Sequence, residues 1–228
     1  RQAGGCGSEE RFHQQADRPA LTAAVFLSII KSPSQPMTVC IFAASSSRID
    51  SAYNEAASRL GHLLASGNMD VIYGGGGIGL MGILADAVIG SKGKITGVIP
   101  EFMHKEGWGH PGLTEMIITS EMGERKKKMI GDADAIVALP GGVGTLEELT
   151  EAITLKQLGF FRGPVVILNT LGFYSNLLLF LEDMIKGNFL RREHGNIWSV
   201  VNTPAEVITS IREYKGWLDD PRKFAKIY

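Results

Sequence analysis

The run Pro140-Gly141-Gly142-Val143-Gly144-Thr145-Leu146-Glu147-Glu148 follows a short apolar stretch, residues 134–139, and opens a helix-like pattern. Glycines let a backbone approach an anion closely. The free N–H groups of a helix start then point at it, aided by the positive end of the helix dipole. This is the form of a phosphate site. A carboxylate does not hold a phosphate, because like charges repel, so Glu148 should face a different part of the ligand. Thr145-x-x-Glu148 also reads as a capping box, in which both side chains only satisfy N–H groups of the helix start. Leu146, Leu149 and Ile153 set the expected core face, and Glu147, Glu148 and Glu151 fall well away from it, toward water, a cleft or a partner chain. The dipole is expected to keep Glu148 ionised.

Two other segments have residue types suited to chemistry. Gly74-Gly75-Gly76-Gly77-Ile78-Gly79-Leu80-Met81-Gly82 contains GxGxxG twice, with Glu101 about twenty residues on, as in a dinucleotide site. Tight turning and close helix packing explain such glycines equally well. No Walker A loop is present, since Gly90-Ser91-Lys92-Gly93-Lys94 lacks its spacing and hydroxyl. In the basic run 121–130, a helix capped by Ser120 puts Met122, Met129 and Ile130 on one face together with Arg125 and Lys126. Lys127 and Lys128 read as solvated surface charge. Arg125 and Lys126 interrupt an apolar stripe, which suggests a polar cleft, and Arg suits recognition of planar anions.

These segments need a frame, and the hydrophobic pattern supplies one. Strand-like runs at 38–43, 71–73, 95–99, 116–118, 135–139, 165–168 and 198–201 alternate with helical patterns opening at 50, 78, 120, 173 and 203 and after the glycines at 141–144. Alternation of this kind predicts an α/β, doubly wound parallel sheet with helices on both faces, in a single domain. Right-handed crossovers leave the strand C-termini along one edge, where ligands bind. Every glycine-bearing candidate segment falls after a strand.

The 228 residues, 44% hydrophobic and 21% charged, suit one soluble domain with a substantial core, or one domain plus appendages. With 23 basic against 24 acidic residues, bulk attraction to a nucleic acid polymer or an anionic membrane is not expected. Cys6 and Cys40 form no CxxC pair and the five histidines no ligand-like cluster, so neither a disulfide framework nor a metal is expected. The patterned domain is expected at 37–215, with a polar tail over 216–228. Residues 1–36 read as an N-terminal extension of uncertain role, appended or upstream-derived before a start at Met37. Their apolar run at 20–30 has the length of a signal-peptide core but is too short to span a bilayer.

Taken in order, the glycine run 74–81, Met122-Gly123-Glu124-Arg125-Lys126 and Pro140-Gly141-Gly142-x-Gly144-Thr145-x-x-Glu148 resemble the LONELY GUY (LOG) family over about residues 37–210. Its members are cytokinin riboside 5′-monophosphate phosphoribohydrolases, often misnamed lysine decarboxylases. The resemblance implies a Rossmann-like fold and a cytoplasmic homodimer or larger assembly. It also implies cofactor-free cleavage of a nucleoside 5′-monophosphate, with AMP or an N6-modified AMP as substrate, into free base and ribose 5-phosphate. It places the catalytic residues on Arg125 and Glu148. It places substrate and phosphate contacts on Ser45, Ser46, Gly75, Gly76, Gly77, Met122, Lys126, Gly141, Gly142, Gly144 and Thr145. Gly123 stands where the family commonly has His, and Leu155 where a Trp is frequent, which bears on base preference. Two other functions stay open on the residues: a nucleotide or cofactor carrier that does not cleave, and an NAD(P)-dependent oxidoreductase using Gly74 to Gly82 and Glu101. Lysine decarboxylation needs a pyridoxal Schiff-base lysine with a pyridinium partner, and no recognisable site for either is present.

Overall fold

The computed structural model describes residues 36–218 and Pro221; the expectations for 1–35 and for most of the tail lie outside the described residues. Seven strands form one sheet: β1 (Met37–Phe42), β2 (Met69–Tyr73), β3 (Ile95–Pro100), β4 (Glu115–Thr119), β5 (Ala135–Ala138), β6 (Val165–Leu168) and β7 (Trp198–Val201). Their order is β4-β3-β2-β1-β5-β6-β7, and every pairing is parallel. The α/β, Rossmann-like architecture expected from the alternating pattern is therefore present.

The helices are α1 (Ser51–Ser66), α2 (Gly79–Gly90), α3 (Glu101–Lys105), α4 (Met122–Gly131), α5 (Val143–Gln157), α6 (Ser175–Lys186) and α7 (Pro204–Arg212). Successive side chains of a strand point to opposite faces, and the core divides accordingly. Val39, Ile41, Ala135 and Val137 meet Leu60, Leu84 and Val207 of α1, α2 and α7. Cys40, Phe42, Ile136 and Ala138 meet Met129, Leu149 and Ile153 of α4 and α5 on the other face. Strand succession runs outward from β1 to β4 and then returns to β1's other side at β5. Right-handed crossovers that reverse direction must change face, so a crevice opens between the C-terminal ends of β1 and β5.

Several local expectations change. The short α3 and two 3-10 turns, Thr170–Gly172 and Arg192–Asn196, are additional to the predicted elements. Glu121, not Ser120, is the N-cap of α4 and makes no side-chain cap bond; Glu124 instead reaches back to the N–H and hydroxyl of Ser120, both at 2.8 Å. Met122, expected on the apolar stripe, is 38% exposed because it sits in the first turn, ahead of the buried part of the helix. Leu146, expected in the core, is 37% exposed, while Leu149 and Ile153 are buried as expected. Trp217 packs against the core cluster of the α5 face and donates its indole N–H to the Glu193 carbonyl at 3.0 Å, so the segment after residue 215 begins anchored.

Candidate active site

Arg125 and Glu148 meet in the interior beside the crevice. The Arg125 Nη1–Glu148 Oε1 distance is 2.9 Å, and each residue is 8% exposed. The guanidinium is held twice, because its Nε also donates to the Val98 carbonyl on β3 at 3.0 Å. A side chain fixed by two directed bonds from a planar fork is an oriented charge rather than a floating one. The sequence positions it simply: Arg125 lies on the face of α4 that buries Met129 and Ile130.

Room for the guanidinium comes from Gly74. A Cβ at that position would overlap Arg125 Nη2, so the first glycine after β2 shapes the seat of a residue 51 positions further along the chain. Its neighbours serve packing. Gly75 has φ of +75° and would press any Cβ on Ile99 and Met116, while Gly79, at φ of +64°, lies against the backbone of Ser45 and Ser46. The Gly77 N–H donates to the Trp108 carbonyl at 3.0 Å, and the His110 N–H to the Gly75 carbonyl at 2.9 Å. Gly76 accepts from the Tyr73 hydroxyl at 3.1 Å. The N–H of Gly77 is thus committed to the 107–110 loop. Glu101, the acid that a dinucleotide reading needs, is paired with Lys105 on the exposed helix α3.

The loop after β5 turns into α5 at Gly142, the N-cap, which has no side-chain cap bond. Thr145 and Glu148 lie inside the helix, which overturns the capping-box reading. Thr145 is instead buried against Gly141, where a Cβ would overlap it. Added Cβ atoms at Gly142 and Gly144 would meet open space. An uncapped helix start facing open space presents its first N–H groups outward. Ser45 and Ser46, both exposed, follow β1 across the crevice, and the Ala44 N–H donates to the Pro140 carbonyl at 3.3 Å, joining the two loops.

Glu148 shares the buried side of α5 with Leu149, Ala152 and Ile153 rather than facing away from it, because its partner Arg125 is buried too. Burial raises its carboxyl above the ordinary value, and Arg125 partly offsets the rise. The direction is thus opposite to the ionisation expected from the helix dipole, and desolvation is its largest cause. Cys40, wholly buried in β1 on this face, has its thiol pushed up by burial and by the Glu148 charge.

Lys126 turns its ammonium to α5, where it binds Glu147 closely and meets Glu151 Oε2 at 2.8 Å as an ion pair. These bonds raise its pKa. Two of the three ammonium donors are thereby used, and the third is left for a phosphate contact. Met122 stands at the start of α4, one turn before Arg125. Sequence reasoning missed Gly74 and the Val98 carbonyl. The first was legible as the residue at which β2 meets the glycine run, whereas a backbone acceptor leaves no sequence signal.

A family model described as "Possible lysine decarboxylase" matches residues 81–211. A cytokinin riboside 5′-monophosphate phosphoribohydrolase of Arabidopsis thaliana is 37% identical over 182 residues, 80% of this chain and 85% of that protein. A probable enzyme of the same name from Oryza sativa subsp. japonica is 39% identical over 176 residues, 77% of this chain and 72% of that protein. The chain belongs to the LOG family. Its fold is also that of the molybdenum cofactor carrier protein of Chlamydomonas reinhardtii, with a TM-score of 0.62 at 18% identity over 78% of this chain and 97% of that one. The molybdenum cofactor binding protein of Rippkaea orientalis gives 0.60 at 19% identity over the same shares. In this LOG-family chain all three sequence segments converge on the crevice: Gly74 seats Arg125, Arg125 pairs with Glu148, and Glu148 hangs from the helix that the glycine loop opens.

Proposed function

We infer that this chain is a phosphoribohydrolase that cleaves the N-glycosidic bond of an N6-modified adenosine 5′-monophosphate, releasing the free base and ribose 5-phosphate. The observation that carries this reading is the buried Arg125–Glu148 pair beside an uncapped, glycine-lined helix start, in a chain whose relatives bear that activity in their names. The glycosidic electron pair leaves with the base, which takes up a proton, and a water oxygen bonds to the anomeric carbon. Positive charge develops on the ribose ring, as in other glycoside cleavages. Glu148 supplies the carboxylate that stabilises this charge or directs the water, and Arg125 orients the ribose or the leaving base. Gly141, Gly142, Gly144 and Thr145 anchor the 5′-phosphate, with Ser45 and Ser46 opposite and Gly75 to Gly77 forming the adjoining wall. Binding energy at the phosphate, remote from the bond, is then used for orientation. No step calls on a cofactor.

The test is release of free base and ribose 5-phosphate from AMP and from isopentenyladenosine monophosphate. Wild type should turn over at least one, and Glu148→Gln and Arg125→Ala should each lose roughly 10²–10⁴-fold. Equal release by all three proteins would rule out the assignment of roles. Saturable AMP binding without ribose 5-phosphate would instead indicate a carrier. We also propose a homodimer or larger homo-oligomer, supported by the exposure of Val143, Phe160, Phe180 and Phe189.

A further inference from the structure

Among the described residues, three hydrogen bonds hold the Leu139-Pro140 step that leads from β5 into the glycine loop. Two are backbone bonds to β1 and the residues after it: the Leu139 N–H donates to the Phe42 carbonyl at 2.9 Å, and the Pro140 carbonyl accepts from the Ala44 N–H at 3.3 Å. The third comes from a side chain. The Tyr174 hydroxyl donates to the Leu139 carbonyl at 2.6 Å in the interior, and among the described residues no backbone N–H reaches that carbonyl. Burial pushes the Tyr174 phenol above its ordinary value, so it remains a donor across the working pH range.

The turn after β6 delivers Tyr174 to this place. Leu171 and Gly172, with φ of +53° and +72°, fold the chain back, and the Asn169 side-chain carbonyl accepts from the Tyr174 N–H at 2.7 Å. A leucine at positive φ is strained, and such strain gathers where geometry serves a site. The Phe173 ring meets Tyr174 edge-on at 5.0 Å and Tyr53 of α1 at 6.0 Å, so the phenol, 4% exposed, is held by packing as well as by its hydrogen bond. Leu139 stands three residues before Gly142, the N-cap of α5, and the direction of its carbonyl sets the course of the chain into that helix start. We propose that Tyr174 is a positioning residue for the substrate's 5′-phosphate: through the Leu139 carbonyl, its hydroxyl fixes where the outward N–H groups of the 141–145 loop stand. This rests on the phosphoribohydrolase reading of the site.

Tyr174→Phe removes one oxygen and leaves the ring, with the buried Leu139 carbonyl unpaired. Binding of ribose 5-phosphate to the full chain, followed by calorimetry, should weaken roughly tenfold, and kcat/KM for whichever monophosphate the wild type turns over should fall at least as far. Asn169→Ala keeps the hydroxyl but frees the Tyr174 N–H, and should weaken the same binding by a smaller factor; it decides the matter where Tyr174→Phe does not fold. Val207→Ala, in the core on the opposite face, lowers stability without touching the loop and should bind ribose 5-phosphate as the wild type does. Unchanged affinity in the Tyr174 and Asn169 variants would overturn the role of Tyr174 and leave the phosphate reading of the loop intact. Equal weakening in Val207→Ala would reduce the effect to general stability and overturn it too. A wild type that binds neither ribose 5-phosphate nor AMP would remove the phosphate reading itself, and the proposal with it.

Discussion

Glu148 is held between two opposing influences, burial that raises its pKa and Arg125 that lowers it, with burial the larger. If the ionised carboxylate is the working form, the acid limb of kcat/KM is shifted upward from that of an ordinary Glu, because burial raises the carboxyl that must lose its proton. Arg125→Ala removes a lowering influence, so the limb of its residual activity should move to still higher pH; an unmoved limb would detach it from Glu148. The sign for stability follows separately. A carboxyl whose folded pKa is raised favours folding most below its unfolded value and loses that contribution as pH rises through the folded one, so Glu148→Gln should flatten this part of the stability profile. Gly74→Ala tests the seat of the guanidinium. Displacing Arg125 by an ångström or so should cost on the order of 10²-fold in kcat/KM while circular dichroism retains the native spectrum. Full activity in Gly74→Ala would show that the seat tolerates a methyl group. Arg125 and Glu148 were readable from residue type and motif, but the burial of Glu148 was not. Helical periodicity assigns faces from apolar residues, and it misplaces a carboxylate whose partner arrives from another helix.

Helices α4 and α5 act as a pair, since Lys126 of one bridges Glu147 and Glu151 of the other just outside the buried Arg125–Glu148 contact. The side chain of Glu147 is 53% exposed, so water screens much of the bridge, and its contribution to stability should stay within about 1 kcal/mol. Its effect on alignment is expected to be larger. Lys126→Met should lower kcat about tenfold while the urea midpoint shifts little; a large loss of stability with unchanged kcat would make the bridge a structural tie only. Elements with strong periodicity were legible, such as β6 and the Asp50-capped α1, where the Asp50 carboxylate accepts from the Ala52 N–H at 2.8 Å. The helix starts at Glu121 and Gly142 were less so. Neither residue caps with its side chain, and the hydroxyls nearby, Ser120 and Thr145, imitate signals they do not carry.

At the scale of the molecule, the parallel sheet with helices on both faces follows from alternation and crossover handedness and was legible in the sequence, whereas the strand order, set by which strands pair across the sheet, was not. How copies associate is a property of surfaces, and one chain's pattern does not encode a partner's position. Light scattering at micromolar concentration should give at least twice the 24.7 kDa chain mass, and a monomer would remove the proposed homo-oligomer. Cys40 in β1 has a kinetic consequence. Its thiol is wholly buried beneath the charged pair at the middle of the sheet, and it is kept protonated there. A thiol reagent can therefore label it only during rare openings of the sheet centre, so alkylation of Cys40 is a clock for those openings. Nucleotide bound in the crevice should slow that clock, read as the rate at which the unmodified Cys40 peptide is lost.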